Sequence, residues 1–172
     1  MTKQKLYSSD FSLEKKTSIS QNELEKVYQI TSQNMAEIGL EVNDESKEIF
    51  TKSMQQNFGD KNFVFFMFYH HSQICGWASV YKKTDNLYLS DIELAPSVKG
   101  TRLLAFVLAS FAKEKEFASF DKFTFYINKK NTMSNKTFSH LGGEIVEEKP
   151  NGFIYMLTRE KLVEFTEKLR LT

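Results

Sequence analysis

A chain of 172 residues with 23 basic and 22 acidic side chains has a formal net charge of +1, which leaves no global electrostatic footprint for nucleic acid or for an anionic membrane. The length suits one domain with a real hydrophobic core, residues 1–172, and points to small partners. The single Cys75 forms no internal disulfide, the opening MTKQKLYSSDFSLEKK lacks the apolar centre of a signal peptide, and the longest apolar run, Phe63 to Tyr69, falls far short of the ~20 residues that cross a bilayer, so the chain reads as soluble and cytoplasmic.

In chain order, residues 1–10 read as a loose lead-in and Phe11 to Thr17 as a short first strand. Ser20-x-x-Glu23 is a capping-box signature, and Leu24, Val27, Thr31, Met35 and Ile38 recur at helical spacing behind it. A second helix follows Asn43, with Ile49, Phe50, Met54 and Phe58 assigned to one side. Phe63 to Tyr69 is too short for an ordinary helix and reads as a central strand. His70-His71-Ser72-Gln73 then turns the chain into Ile74 to Tyr81, which predicts an antiparallel hairpin. Leu87 to Leu94 is the next strand. An amphipathic helix is expected from Gly100, carried by Leu103, Leu104, Val107, Leu108 and Phe111.

Lys122 to Asn128 returns as a strand, and a short helix from Thr132 to Leu141 ends at Gly142-Gly143. Two strands, Glu144 to Glu148 and Phe153 to Thr158, flank the turn Lys149-Pro150-Asn151-Gly152, and residues 159–172 hold a final helix, drawn from Arg159 to Leu169. The fourth and fifth strands are joined through a helix, so they should be parallel neighbours with a right-handed crossover. The expected fold is α/β (α+β): a mixed sheet of about seven strands with helices on both faces.

Four local motifs, in order on the expected elements, resemble the GNAT superfamily of acyl-CoA-dependent N-acyltransferases, over about Phe11 to Thr158. Gly76-Trp77-Ala78 lies where that family places glycine, an aromatic and a small residue in the third strand. Asp91-Ile92-Glu93-Leu94-Ala95-Pro96 resembles the fourth strand with its terminal proline. Ser97-Val98-Lys99-Gly100-Thr101-Arg102 occupies the pyrophosphate loop, usually Gln/Arg-x-x-Gly-x-Gly/Ala. Asn131-Thr132-Met133-Ser134, then Phe138 and Leu141-Gly142, follows the spacing of the helix that commonly reads Asn-x-x-Ala, Tyr, Gly-Phe. The departures are Ser97 for Gln or Arg, Arg102 for a small residue, Phe138 for Tyr and Gly143 for Phe.

The resemblance implies transfer of an acetyl or other acyl group from acyl-CoA to a primary amine, on a small molecule or a peptide, by direct attack in a ternary complex. Acetyl-CoA is the implied co-substrate, no metal is expected, and a homodimer is left open. Leu94, Ala95, Val98, Lys99, Gly100, Thr101, Arg102, Asn131, Ser134 and Phe138 are the implied coenzyme contacts. An amine attacks only when neutral, so the site needs a base, often a carboxylate acting through water, or enough desolvation to lower the amine's pKa, and alternation puts Asp91 and Glu93 on one strand face. Glu93 is the candidate base with Asp91 beside it, the other reading being two acids that face solvent or pair with a lysine. Phe138 cannot protonate a departing thiolate, which leaves Tyr126 and Tyr155 as reserve acids. The acids Glu37, Glu41, Asp44 and Glu45 suit either a cationic acceptor or a solvated helix end. The rival function is a non-catalytic acyl-CoA-binding or sensing module; a third keeps the fold and acts through protein contacts.

Overall fold

A computed structural model describes residues 11–170; the expected loose segment 1–10 lies outside the described residues, as do 171–172. The elements run β1 (Phe11–Lys16), α1 (Gln21–Glu37), α2 (Asp44–Asn57), β2 (Phe63–His70), β3 (Gln73–Lys82), β4 (Leu87–Leu94), α3 (Leu103–Lys113), β5 (Lys122–Asn128), α4 (Thr132–His140), β6 (Glu144–Lys149), β7 (Gly152–Thr158) and α5 (Arg159–Arg170). The seven strands form one mixed sheet in the order β1-β2-β3-β4-β5-β7-β6. Only β4 and β5 pair in parallel, with α3 as their crossover.

Local chemistry explains where the first helices begin. At the start of α1, the Ser20 hydroxyl accepts from the Glu23 amide at 3.3 Å, and the Glu23 carboxylate accepts from the Ser20 amide at 2.8 Å. Asn43 and Ser46 cap α2 in the same reciprocal way, so each helix begins with one of its orphan amides and the amide of its cap satisfied. Lys16 adds a 2.8 Å ion pair to Glu23, and this hydrogen bond is the main reason the Glu23 carboxyl is lowered to about 2.

Helices cover both faces of the sheet. Leu24 and Val27 of α1 and Met54 of α2 pack on Phe65, Met67 and Trp77. On the other side Leu103, Val107 and Phe111 of α3, Phe138 of α4 and Leu162 of α5 pack with Val64, Phe66, Phe68, Leu89, Phe123 and Phe125. β2 is therefore buried on both faces, which is why its sequence is continuously apolar. Each such Phe contributes about 1.5–3 kcal/mol by leaving water. Ile49 departs from its expected face: it is 61% exposed, and Phe50, Met54 and Phe58 make the contacts of α2.

The hairpin between β2 and β3 turns on His71 (φ 48°) and Ser72 (φ 65°), with His70 paired to Gln73. Two central residues with positive φ are the mark of the turn whose twist matches a two-residue hairpin. At the other end of the sheet a half-buried arginine joins three segments. Arg159 donates to the carbonyls of Ala112, Phe117 and Phe120, and its guanidinium lies 5.4 Å from the centre of the Phe123 ring.

Two irregularities shape the middle of the sheet. β4 pairs with β5 only from Leu87–Phe123 to Leu89–Phe125, and beyond that the two strands have no ladder between them. At the same point Val80 faces Leu89 while the preceding Ser79 faces Asp91, so Ser90 is an extra, bulged residue in β4. Simple alternation would put Asp91 and Glu93 on the face of Leu87 and Leu89. The bulge turns them to the opposite face, and Ile92 and Leu94 join the Leu89 side instead.

Candidate active site

Beyond Leu89–Phe125 no ladder joins the carboxyl ends of the parallel strands β4 and β5, and such a parting is the usual place for a ligand cleft in an α/β sheet. On the α1 face of this part of β4 lie Asp91 and Glu93. Asp91 accepts a 2.8 Å hydrogen bond from the Ser79 hydroxyl. Burial drives its carboxyl upward, opposed by hydrogen bonds from Ser79 and Ser90. Glu93 stands opposite Trp77 in the β3–β4 ladder and accepts a hydrogen bond from Asn34 Nδ2 of α1. Burial pushes Glu93 up to about 7, with Asn34 opposing the shift, Asp91 adding to it, Lys99 opposing it and Glu37 adding to it. Both acids keep some accessible surface, yet lie deep enough for desolvation to dominate.

Alternation along β4 keeps the two candidate acids on one face, and the bulge at Ser90 decides that this face is the α1 side. Tyr126 shares their face, is 37% exposed, and its ring lies over Gly152, where a Cβ would come within 2.3 Å of it. Tyr88 is close by: burial, then Asp91 and Tyr126, raises its hydroxyl. Tyr155 lies on the opposite face, buried, with its hydroxyl donating to Asn135 Oδ1 at 3.1 Å. The two reserve tyrosines are thus not brought together.

The loop after β4 departs from a simple helix start. Pro96–Val98 form a short 3-10 turn, Val98 is buried, and α3 begins at Leu103 rather than at Gly100. Gly100 has φ +72°, a conformation outside the right-handed helix that costs other L-residues about 1–2 kcal/mol, and a Cβ there would meet nothing within 4 Å. The Thr101 hydroxyl donates to the Val98 carbonyl at 2.6 Å and accepts from the Leu103 amide at 3.2 Å. The Arg102 carbonyl accepts the Phe106 amide at 2.9 Å. Among the described residues the amides of Gly100, Leu104 and Ala105 have no hydrogen-bond partner, so donors are on offer beside an open glycine. Lys99 is bound to Glu37 at the end of α1.

Gly76 fits its strand by its lack of a side chain: a Cβ would lie 2.6 Å from the Glu93 carbonyl and 2.9 Å from Phe68. Leu94 gives its carbonyl to Asn34 Nδ2 at 3.2 Å, and the Ala95 amide donates to the Cys75 carbonyl at 2.9 Å. Across the cleft, Asn131 caps α4 by accepting from the Ser134 amide at 3.0 Å. Phe138 is packed in the core, its ring centre 4.2 Å from that of Phe125. Cys75 is buried, and burial pushes its thiol up to about 11, which makes it inert. His140 is exposed. No group of three or more His, Cys, Asp or Glu is arranged to hold a metal ion among the described residues, and no helix among them is long and apolar enough to cross a membrane.

Sequence reading missed Asn34 and Ser79. Asn34 lies three residues after Thr31 and seven after Val27, on the buried stripe of α1, where a polar residue is itself a signal. The bulge had a signal too: the apolar residues of β4 change from odd positions, Leu87 and Leu89, to even ones, Ile92 and Leu94.

No family model and no curated protein matches this sequence. Solved structures do match its fold. A GNAT-family acetyltransferase from Staphylococcus aureus Mu50 aligns with TM-score 0.69 at 11% identity, covering 87% of this chain and 99% of the other. The PaiA N-acetyltransferase from Thermoplasma acidophilum, solved with coenzyme A, gives 0.68 at 14% identity over 86% and 99%. The N-acetyltransferase PseH from Campylobacter jejuni, solved with acetyl coenzyme A, gives 0.61 at 16% identity over 86% and 98%. The chain has the GNAT fold, with the expected mixed seven-stranded sheet and its parallel β4–β5 pair.

Proposed function

We propose that this chain is an N-acyltransferase that moves an acyl group, in the first instance acetyl, from acyl-CoA to a primary amine. The observation that carries the reading is the position of Glu93: a carboxylate with its affinity for protons raised to near neutrality, on the part of β4 that has left its ladder with β5. A group poised near the working pH is what proton abstraction from an ammonium requires. The coenzyme complexes of PaiA and PseH, on the same fold, support the choice of donor.

The loop fits such a donor. The unpartnered amides of Gly100, Leu104 and Ala105 would hold a pyrophosphate, and Lys99 would add charge once released from Glu37. Bound acyl-CoA supplies an electrophilic thioester carbon and a thiol leaving group. Glu93 takes the proton from the acceptor ammonium, and Asp91 disfavours a second negative charge beside it, which keeps the Glu93 carboxyl a stronger base. Phe138 gives the thiolate no proton. A thiol has an ordinary pKa of about 8.5, so its departure near neutrality is slower for that lack and not forbidden. Tyr126 and Tyr155 are the remaining hydroxyls for that step.

The second reading, a module that binds acyl-CoA without turnover, is favoured by one observation, the burial of Phe138 against Phe125 where the family acid would stand. Release of free thiol from acetyl-CoA, followed across a panel of primary amines with mass detection of the acylated product, separates the two. Turnover with any amine establishes the enzyme. A melting shift with acetyl-CoA and no thiol release with any of them establishes the binder.

A further inference from the structure

Asn34 is the one side chain of α1 that reaches Glu93. Its Nδ2 donates both to the Glu93 carboxylate and to the Leu94 carbonyl, the latter at 3.2 Å. Its Oδ1 is buried and has no hydrogen-bond partner among the described residues. The reverse orientation of the amide would set three acceptors against one another, Oδ1, the carboxylate and the carbonyl. The donor end is therefore satisfied and the acceptor end is left without a bond, an arrangement whose cost needs a counterpart. That counterpart is the charge on Glu93.

We propose that Asn34 is a positioning residue for Glu93: its amide fixes the carboxylate in the wall of the cleft and stabilises its ionised form, while the same amide ties the unpaired end of β4 to α1. The proposal rests on the reading of Glu93 as the base. Other charged groups that act on Glu93 are Asp91 on its own strand, Lys99 in the following loop and Glu37 at the end of α1. Lys99 and Glu37 are bound to each other and act on Glu93 in opposite directions. Asn34 is left as the strongest influence opposing the loss of charge.

Titration of the glutamate side-chain carboxyls by 13C NMR, with Glu93→Gln to assign the resonance, tests this without any turnover. Asn34→Leu removes the donor and the orphan acceptor together, so it should fold. The loss of one charge-assisted hydrogen bond should raise the Glu93 midpoint by roughly one pH unit. Asn34→Asp keeps the shape and replaces the donor with an acceptor, and should raise it further. In the active enzyme the lower limb of the kcat profile should move by the same amount in each variant. An unmoved midpoint in both variants overturns the proposal, as does an activity loss that is equal at every pH. A moved midpoint in a protein that acylates no amine leaves Asn34 in its place and removes the enzyme reading instead.

Discussion

Trp77 and Glu93 stand directly opposite each other in the β3–β4 ladder, and a single turn of α1 holds both. Thr31 accepts from the Trp77 indole at 3.1 Å and donates its own hydroxyl hydrogen bond to the Val27 carbonyl, while Asn34, three residues on, donates to Glu93. The buried indole is a structural anchor, satisfied at its one donor. The carboxylate beside it is held by the same helix but against its solvation preference. One turn of helix thus serves the core through one contact and the cleft through the next.

Glu93→Gln should separate these two roles. Turnover is expected to fall by ~10²–10⁴ with its pH dependence near 7 lost, and acyl-CoA affinity unchanged, since the base acts on the amine. Stability should move the other way. The carboxyl titrates at an ordinary 4.5 when unfolded and at about 7 when folded, so the folded state holds the extra proton between those values. Stability is lost as pH rises from 4.5 through 7, and the penalty is complete above 7. Glutamine does not ionise, so at pH 8 the variant should be more stable than wild type by ~2–3 kcal/mol. Chemical denaturation at pH 5 and pH 8 checks this; equal stabilities at pH 8 would mean that Glu93 is not desolvated.

Phe138→Tyr supplies the hydroxyl that the motif resemblance implies at this position. Turnover should rise across the range in which a phenol keeps its proton, below its ordinary titration at about 10. The hydroxyl enters a ring contact with Phe125, so some stability should be lost, about 1–3 kcal/mol if it finds no partner. Steady-state kinetics from pH 6 to 9, paired with melting curves, reads both. A less stable variant with no gain in turnover at any pH would make the ring a core residue and nothing more.

What was legible in the sequence was local. The capping box at Ser20, the helix after Asn43, the hairpin at His71-Ser72 and the β4-α3-β5 crossover each depend on residues or elements that follow one another in the chain. What was not legible depends on a partner far away. Ser90 bulges because β3 supplies one residue where β4 supplies two, and this decides which face Asp91 and Glu93 occupy. Asn34 matters through Glu93, 59 positions on. The helix start at Leu103 follows from the positive φ of Gly100, which the residue type permits and does not require.

Arg159 gives a prediction about stability alone. Its Nε and Nη2 reach the Phe120 carbonyl at 3.0 and 2.8 Å, and it also holds the carbonyls of Ala112 and Phe117, at the exposed end of α3 and the turn behind it. A lysine ammonium cannot span three carbonyls in one plane. Arg159→Lys should lose ~2–3 kcal/mol, and with it roughly 4–12 °C of melting temperature, while kcat per folded molecule stays unchanged. A melting temperature within a degree of wild type would show that the clamp contributes nothing net.

Gly100 allows the donor site to be tested by charge at constant backbone strain. Its φ of +72° means that any side chain there is strained, so loss of stability on its own says nothing about a ligand. Asn and Asp are the L-residues that tolerate this conformation best, and a side chain at this position meets open space. Gly100→Asn and Gly100→Asp should therefore lose similar, small amounts of stability, with Asp if anything favoured near the start of α3. They should differ in binding, because the aspartate would answer the free amides and repel a pyrophosphate. At one hundred times its dissociation constant a ligand adds about 2.7 kcal/mol, which for a chain of this size is roughly 5–10 °C. Wild type should gain that much with acetyl-CoA, Gly100→Asn should keep most of the gain, and Gly100→Asp should keep almost none. Equal gains in all three would show that the loop holds no phosphate, and no gain in wild type with any acyl-CoA would remove both the transferase and the binding module.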